Sequence, residues 1–166
     1  MSLIKFIGVL ITLVILFSFN FASADKPNDT DALRNIDEGK VVWDINIANP
    51  IKLLKILNVV EETYDDLSRQ GVTPDMVFAF RGASVKLVSS QPLNLTLEEE
   101  DAREEIVNWL QKFRQKSNVN MESCSVATRL LGVDNETIIP EVNPVGNTFV
   151  SLIGYQKKGY ALIPLY

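Results

Sequence analysis

Histidine occurs at none of the 166 positions of the sequence. That absence excludes a Ser-His-Asp triad, a Cys-His pair and a His-ligated metal centre. It also removes the side chain that most readily moves protons near neutral pH. Cysteine is limited to Cys124, so no internal disulfide can form. Glycine is sparse and scattered: neither a Walker sequence nor a G-x-G-x-x-G after a strand occurs. No serine stands in a G-x-S-x-G setting, which leaves a hydrolase without its usual parts. Internal repeats and low-complexity tracts are missing too. From these absences no cofactor and no metal is expected.

Charge is missing from one long stretch. Within the first 24 residues, Lys5 is the single charged side chain, and Phe6 to Phe17 forms an apolar run of 12 residues. Ala22-Ser23-Ala24 follows as a small-x-small cleavage site. These are the three parts of a secretory signal peptide, expected to be cut after Ala24 and to direct the protein to the periplasm. A membrane-spanning helix needs ~20 apolar residues, so the run alone is short for one. An uncleaved anchor remains the alternative, because no charge occurs from Phe6 to Ala24. Losing Lys5 takes the net charge from −5 to −6. Such an acidic chain repels nucleic acid and anionic membrane, and neither is expected as a partner.

The remaining 142 residues are the size of one domain, long enough to bury a core without metals or disulfides. Residues 25–39 are polar and read as a flexible N-terminal segment. The domain proper is expected over 40–166. Lys40 to Ile47 is rich in β-branched and aromatic residues and reads as a first strand. Asn49 caps and Pro50 opens a helix whose apolar face is Leu53, Leu54, Leu57, Val60, Tyr64 and Leu67, closed by Gly71. Asp75 to Phe80 is a second strand. Arg81-Gly82-Ala83 is a turn, and Ser84 to Val88 is ambiguous between helix and strand. Thr96-Leu-Glu-Glu99 is a capping box opening a second helix with the face Ala102, Ile106, Leu110 and Phe113. Its three glutamates suit a solvated first turn rather than a metal. Trp43 and Trp109 fit a core or an interface.

A third strand over Val119 to Glu122 runs into a short helix from Cys124 to Leu131, closed by Gly132. Thr137 to Val142 reads as a fourth strand, kept to an edge by Pro140. A last helix over Asn147 to Lys158 ends at Gly159, and Tyr160 to Tyr166 is a final strand. Strands alternating with helices imply an α/β fold: a three-layer α/β/α sandwich on a mainly parallel sheet of about five strands.

Ligands of such sheets bind beyond the carboxyl ends of the strands. That rule selects Asn46 to Asn49, Arg81-Gly82 and Glu122-Ser123-Cys124. Cys124 stands where a strand meets the start of a helix, a place that favours a thiolate. Arg81 would assist if it faced the same rim, and Glu122 would oppose unless it pointed away. The candidate catalytic residue is therefore Cys124, with Arg81, Gly82, Asn46, Ser123 and Ser125 as candidate substrate contacts. Two blander readings stand beside these. Cys124 can be an inert buried hydrophobe, and Asn46 and Asn49 can be local turn and cap residues.

The order of elements, the lone Cys opening a short helix, and the ending Gln156-Lys-Lys-Gly159-Tyr160-Ala161-Leu-Ile163-Pro164 resemble the DsrE/DsrF-like family of sulfur-relay proteins, in its exported single-domain branch. The resemblance runs from about Lys40 to Tyr166. It implies the three-layer fold, assembly into homotrimers or homohexamers, and a cysteine that carries sulfane sulfur as a persulfide to a partner protein. Cys124 is the position similar to that cysteine. Relatives often carry His-Gly after the second strand, where this chain has Arg81-Gly82. The functional expectation is a persulfide carrier with a protein sulfur donor or acceptor. The competing expectation is a non-catalytic binding or assembly module holding a small anionic ligand or a partner at the strand rim.

Overall fold

The structure, a computed structural model, describes residues 26–91 and 93–166. The export signal read over 1–24 lies outside the described residues. The chain runs β1 (Glu38–Ile45), α1 (Pro50–Arg69), β2 (Thr73–Phe80), a 3-10 turn (Gly82–Lys86), α2 (Leu97–Phe113), β3 (Val119–Cys124), α3 (Ser125–Leu131), a second 3-10 turn (Asn135–Thr137), β4 (Asn143–Val145), α4 (Thr148–Lys157) and β5 (Ala161–Leu165). The sheet order is β4-β3-β2-β1-β5, and every pairing is parallel.

Strand alternation divides the core in two. Val41, Trp43 and Ile45 of β1, Met76, Phe78 and Phe80 of β2, and Val119 and Met121 of β3 point to one face. There they meet Leu53, Leu57 and Val60 of α1 and Ile106, Trp109, Leu110 and Phe113 of α2. Trp109 stacks on Phe113 at 4.3 Å, and Phe78 meets both rings edge-on. The other face is thinner: Val42, Val77 and Ala79 pack against Leu152 of α4. Steps from β1 to β4 move one way across the sheet, with α1 and α2 on one face. The return from β4 to β5 reverses direction and carries α4 over the other face, as a constant crossover hand requires.

The local signals act as the chemistry requires. Asn49 Oδ1 accepts from the Lys52 amide, and Pro50 opens α1. The capping box at Thr96 and Glu99 is complete, with both reciprocal bonds made. Gly132 closes α3 in the left-handed region at φ 67°.

Several boundaries differ from the expectation: the first strand stops at Ile45, the second begins at Thr73, the third runs on to Cys124, and the last is confined to Ala161–Leu165. The first strand begins at Glu38, because parallel pairing with Thr73–Phe80 extends it. Lys26 in the segment before it bridges to Glu62 and Asp66 of α1, and Arg69 Nη1 donates to Asn28. The ambiguous stretch after β2 is the 3-10 turn, pinned by the Ser84 hydroxyl, which reaches the carbonyl oxygens of Ile45 and Arg81. The fourth strand is not Thr137 to Val142 but the three residues from Asn143 to Val145, at the sheet edge as expected. Pro140 cannot donate to a ladder. The apolar residues before it instead fold onto the segment after the 3-10 turn: the Ile139 amide donates to Val88 O, and Ser89 bridges antiparallel to Ile138.

Candidate functional site

The carboxyl ends of β1, β2, β3 and β4 lie at one end of the parallel sheet. Cys124 is the last residue of β3 and the N-cap of α3, and it is 5% exposed. Its side chain belongs to the larger core cluster, with Val85 and Ala127, and lies next to Thr148 of α4. Beside it, β4 delivers the chain to Asn147, whose Oδ1 accepts from the Phe149 amide and caps α4. Thr148 opens that helix and is fully buried.

Burial is the largest influence on the Cys124 thiol and pushes its pKa up. The Thr148 hydroxyl, the Thr148 amide and the amides of Ala127 and Val126 push it down, and together they prevail. The thiol therefore lies below its ordinary pKa. Thr148 Oγ1 makes no hydrogen bond of full geometric quality in the structure. A neutral thiol is a weak acceptor, so this hydroxyl has its natural partner only when the sulfur is charged.

A pocket of about 490 Å³ opens at the sulfur. Arg81, Gly82, Asn147, Thr148 and Phe149 line it with Cys124, and apolar residues of α3 complete the wall. Arg81 is held by Asp44 of β1 through bonds of 2.5 and 2.8 Å, with Asp44 itself buried. Its guanidinium lies 5.4 Å from the Phe149 ring and 5.7 Å from the Tyr166 ring. The Arg81 charge is thus neutralised by Asp44, while the thiolate draws on Thr148 and the backbone. Glu122 is engaged with α4 and its own strand, accepting from Tyr155 Oη at 2.6 Å and from Asn120 at 3.2 Å.

Of the residues read from the sequence, the fold brings Cys124, Arg81 and Gly82 together at the pocket. Asn46 sits behind Gly82, and a Cβ on Gly82 would lie 2.1 Å from Asn46 Oδ1, so the close approach needs glycine, here at φ +53°. Ser123 is fully buried on the opposite face of β3. Ser125, the first residue of α3, accepts at Oγ from Asn135 of the second 3-10 turn. Sequence reasoning missed Asp44, Thr148 and Phe149. The Asn147 cap marked the helix start, but the β3–β4 pairing that sets Thr148 against Cys124 has no local signal.

The model of the DsrE/DsrF-like family matches residues 48–165. An uncharacterized protein of Aquifex aeolicus (strain VF5) is 22% identical over 125 residues, 75% of this chain and 55% of that protein. The chain thus spans about half the length of that curated relative. Among solved structures, MTH1491 of Methanobacterium thermoautotrophicum, a protein of unknown function, has a TM-score of 0.59 and 17% identity, over 75% of this chain and 97% of its own. It shares the fold. The ychN protein of E. coli has a TM-score of 0.48 at 15% identity, over 76% of this chain and 98% of its own.

Proposed function

The chain belongs to the DsrE/DsrF-like family, and from that premise we propose that it is a sulfur carrier working through Cys124. The observation that carries the reading is a buried thiol of lowered pKa, opening on a pocket and served by an otherwise unpartnered Thr148 hydroxyl. The Cys124 thiolate attacks a sulfane sulfur donor. An S–S bond forms at Cys124, the donor's S–S bond breaks, and the donor leaves as its thiolate. The persulfide then passes its outer sulfur to an acceptor thiolate, and the Cys124 thiolate returns. One cysteine suffices for this cycle, which needs no metal or cofactor. The pocket wall limits contact of the stored sulfur with other thiols.

Two further features belong to the reading. Export by residues 1–24 would put the carrier in the periplasm, where a spare thiol persists best when shielded. Self-assembly as a trimer or hexamer has support in the apolar surface of Phe149, Val150 and Ile153 on α4 and Leu162 and Ile163 on β5. The alternative, a module binding a small anion at the rim, draws less support, because Asp44 already neutralises Arg81.

The test is intact-mass spectrometry of the reduced protein after polysulfide treatment. The expected result is the added mass of sulfur, removed by a small thiol and missing from a Cys124→Ala variant. An unmodified protein, or equal labelling of the variant, would refute the carrier.

A further inference from the structure

The walls of the Cys124 pocket say what kind of donor can reach the sulfur. Among the described residues that line it, Arg81 is the only charged side chain, and Asp44 holds that charge in a two-point pair. The rest of the wall is mainly Ala83, Val126, Ala127, Leu130, Leu131 and Phe149. An anion entering here would lose water and gain no free cation, an expensive exchange in an apolar cleft. The chain's net charge of −5 adds a repulsive field. An apolar group entering the same space would cover carbon surface and gain. Thr148, fully buried and with no partner of its own, lines the pocket at the sulfur and can serve one charged atom there. That atom is the attacking thiolate, not a carboxylate or sulfonate of the donor.

Resting on the carrier reading, we infer that the pocket selects a sulfane sulfur donor with an uncharged, apolar substituent, an organic persulfide that reacts in its protonated form R–S–SH, over thiosulfate or a peptide-sized persulfide bearing carboxylates. In the step, the Cys124 thiolate attacks the outer sulfur of R–S–SH. The new bond joins Cys124 Sγ to that sulfur, which keeps its hydrogen. The S–S bond of the donor breaks, and its electron pair leaves with R–S⁻. No external oxidant or reductant is needed, since sulfane sulfur moves from one thiol to another.

Two readouts separate this selectivity from the carrier reading. The first compares alkylation of Cys124 by neutral iodoacetamide and anionic iodoacetate, in the folded protein and in the same chain unfolded in urea. The second compares sulfur loading by benzyl persulfide, glutathione persulfide and thiosulfate, read by intact mass. The unfolded chain supplies each reagent's intrinsic reactivity. On folding, iodoacetamide should gain about tenfold or more over iodoacetate, and benzyl persulfide over the donors whose remaining groups are anionic, the discrimination typical of a pocket that gains from carbon contact. Leu130 is 74% exposed at the rim, so Leu130→Arg should fold normally and move both ratios towards the anions. Equal ratios in folded and unfolded chains, or ratios untouched by Leu130→Arg, would overturn the selectivity while leaving the carrier standing. Apolar preference in alkylation with no sulfur loading by any donor would overturn the carrier, and this inference with it.

Discussion

Cys124 ends β3 and Thr148, 24 positions later, opens α4 just after the neighbouring strand β4, and each supplies what the other lacks. The thiol is buried, which alone would keep it protonated, and the hydroxyl is buried without a partner of its own. Charging the sulfur answers both. Thr148→Val keeps the volume and removes the hydroxyl, so the thiol should titrate at higher pH and alkylation at neutral pH should slow severalfold. Thr148→Ser should restore the profile. An unchanged pH–rate curve in Thr148→Val would show that the backbone amides alone govern the thiol. At this scale the sequence was partly legible. Cys124 could be read as a strand–helix junction, because both signals are local. Arg81 could be read as near, but its pairing with Asp44 depends on the register of β1 against β2. Thr148 could not be read, because β4 is three residues long and its place beside β3 is a tertiary fact.

Among the elements, α4 has the most unusual task, since the sheet face beneath it is polar. Asp44, Asp75 and Glu122 share that face with Val42, Val77 and Ala79. Each carboxylate is met by a side chain from outside the sheet: Arg81 at Asp44, Tyr160 at Asp75 and Tyr155 at Glu122. Burial first, and the Glu122 bond second, push the Tyr155 phenol up to about 12. The same influences, with Asp75 as partner, raise Tyr160. A raised folded-state pKa stabilises the fold fully below the unfolded phenol value of about 10, and the contribution is lost as pH rises from there towards the folded value. Urea midpoints should therefore fall across roughly pH 10 to 12. Tyr155→Phe should be less stable below that window and should lose less within it, Tyr160 supplying the residual slope. A variant with the wild-type slope would mean that Tyr155 is not the phenol whose titration weakens the fold. The 3.6-residue pattern made α1 and α2 legible because they cover an apolar face. On α4 the pattern is weaker, since Tyr155 serves a carboxylate and Phe149, Val150 and Ile153 are exposed.

For the whole molecule, those exposed residues bear on how the site is closed. Phe149, Val150 and Ile153 of α4, with Leu162 of β5 and Tyr166 beyond it, are 37–66% exposed, and Leu162, paired with Val42, is on the α4 side of the sheet. Exposed apolar side chains gathered on one helix and the strand beside it suit contact with another macromolecule. On the proposed reading that molecule is a second copy of the chain. Phe149 belongs to this surface and to the Cys124 pocket at once, so a copy docked there would narrow the mouth through which a donor enters. Sedimentation velocity should accordingly find a trimer or hexamer in the wild type. Ile153→Asp places a charge at a position that is 62% exposed, where a monomer would feel little, about 0.5 kcal/mol or less. It should dissociate the assembly, preserve the far-ultraviolet circular dichroism, and raise the alkylation rate of Cys124 by widening access. A wild type that stays monomeric at every concentration would remove the assembly from the reading and leave the pocket open to solvent. An oligomer indifferent to Ile153→Asp would move the interface off α4. Alkylation unchanged on dissociation would separate assembly from the chemistry of the thiol.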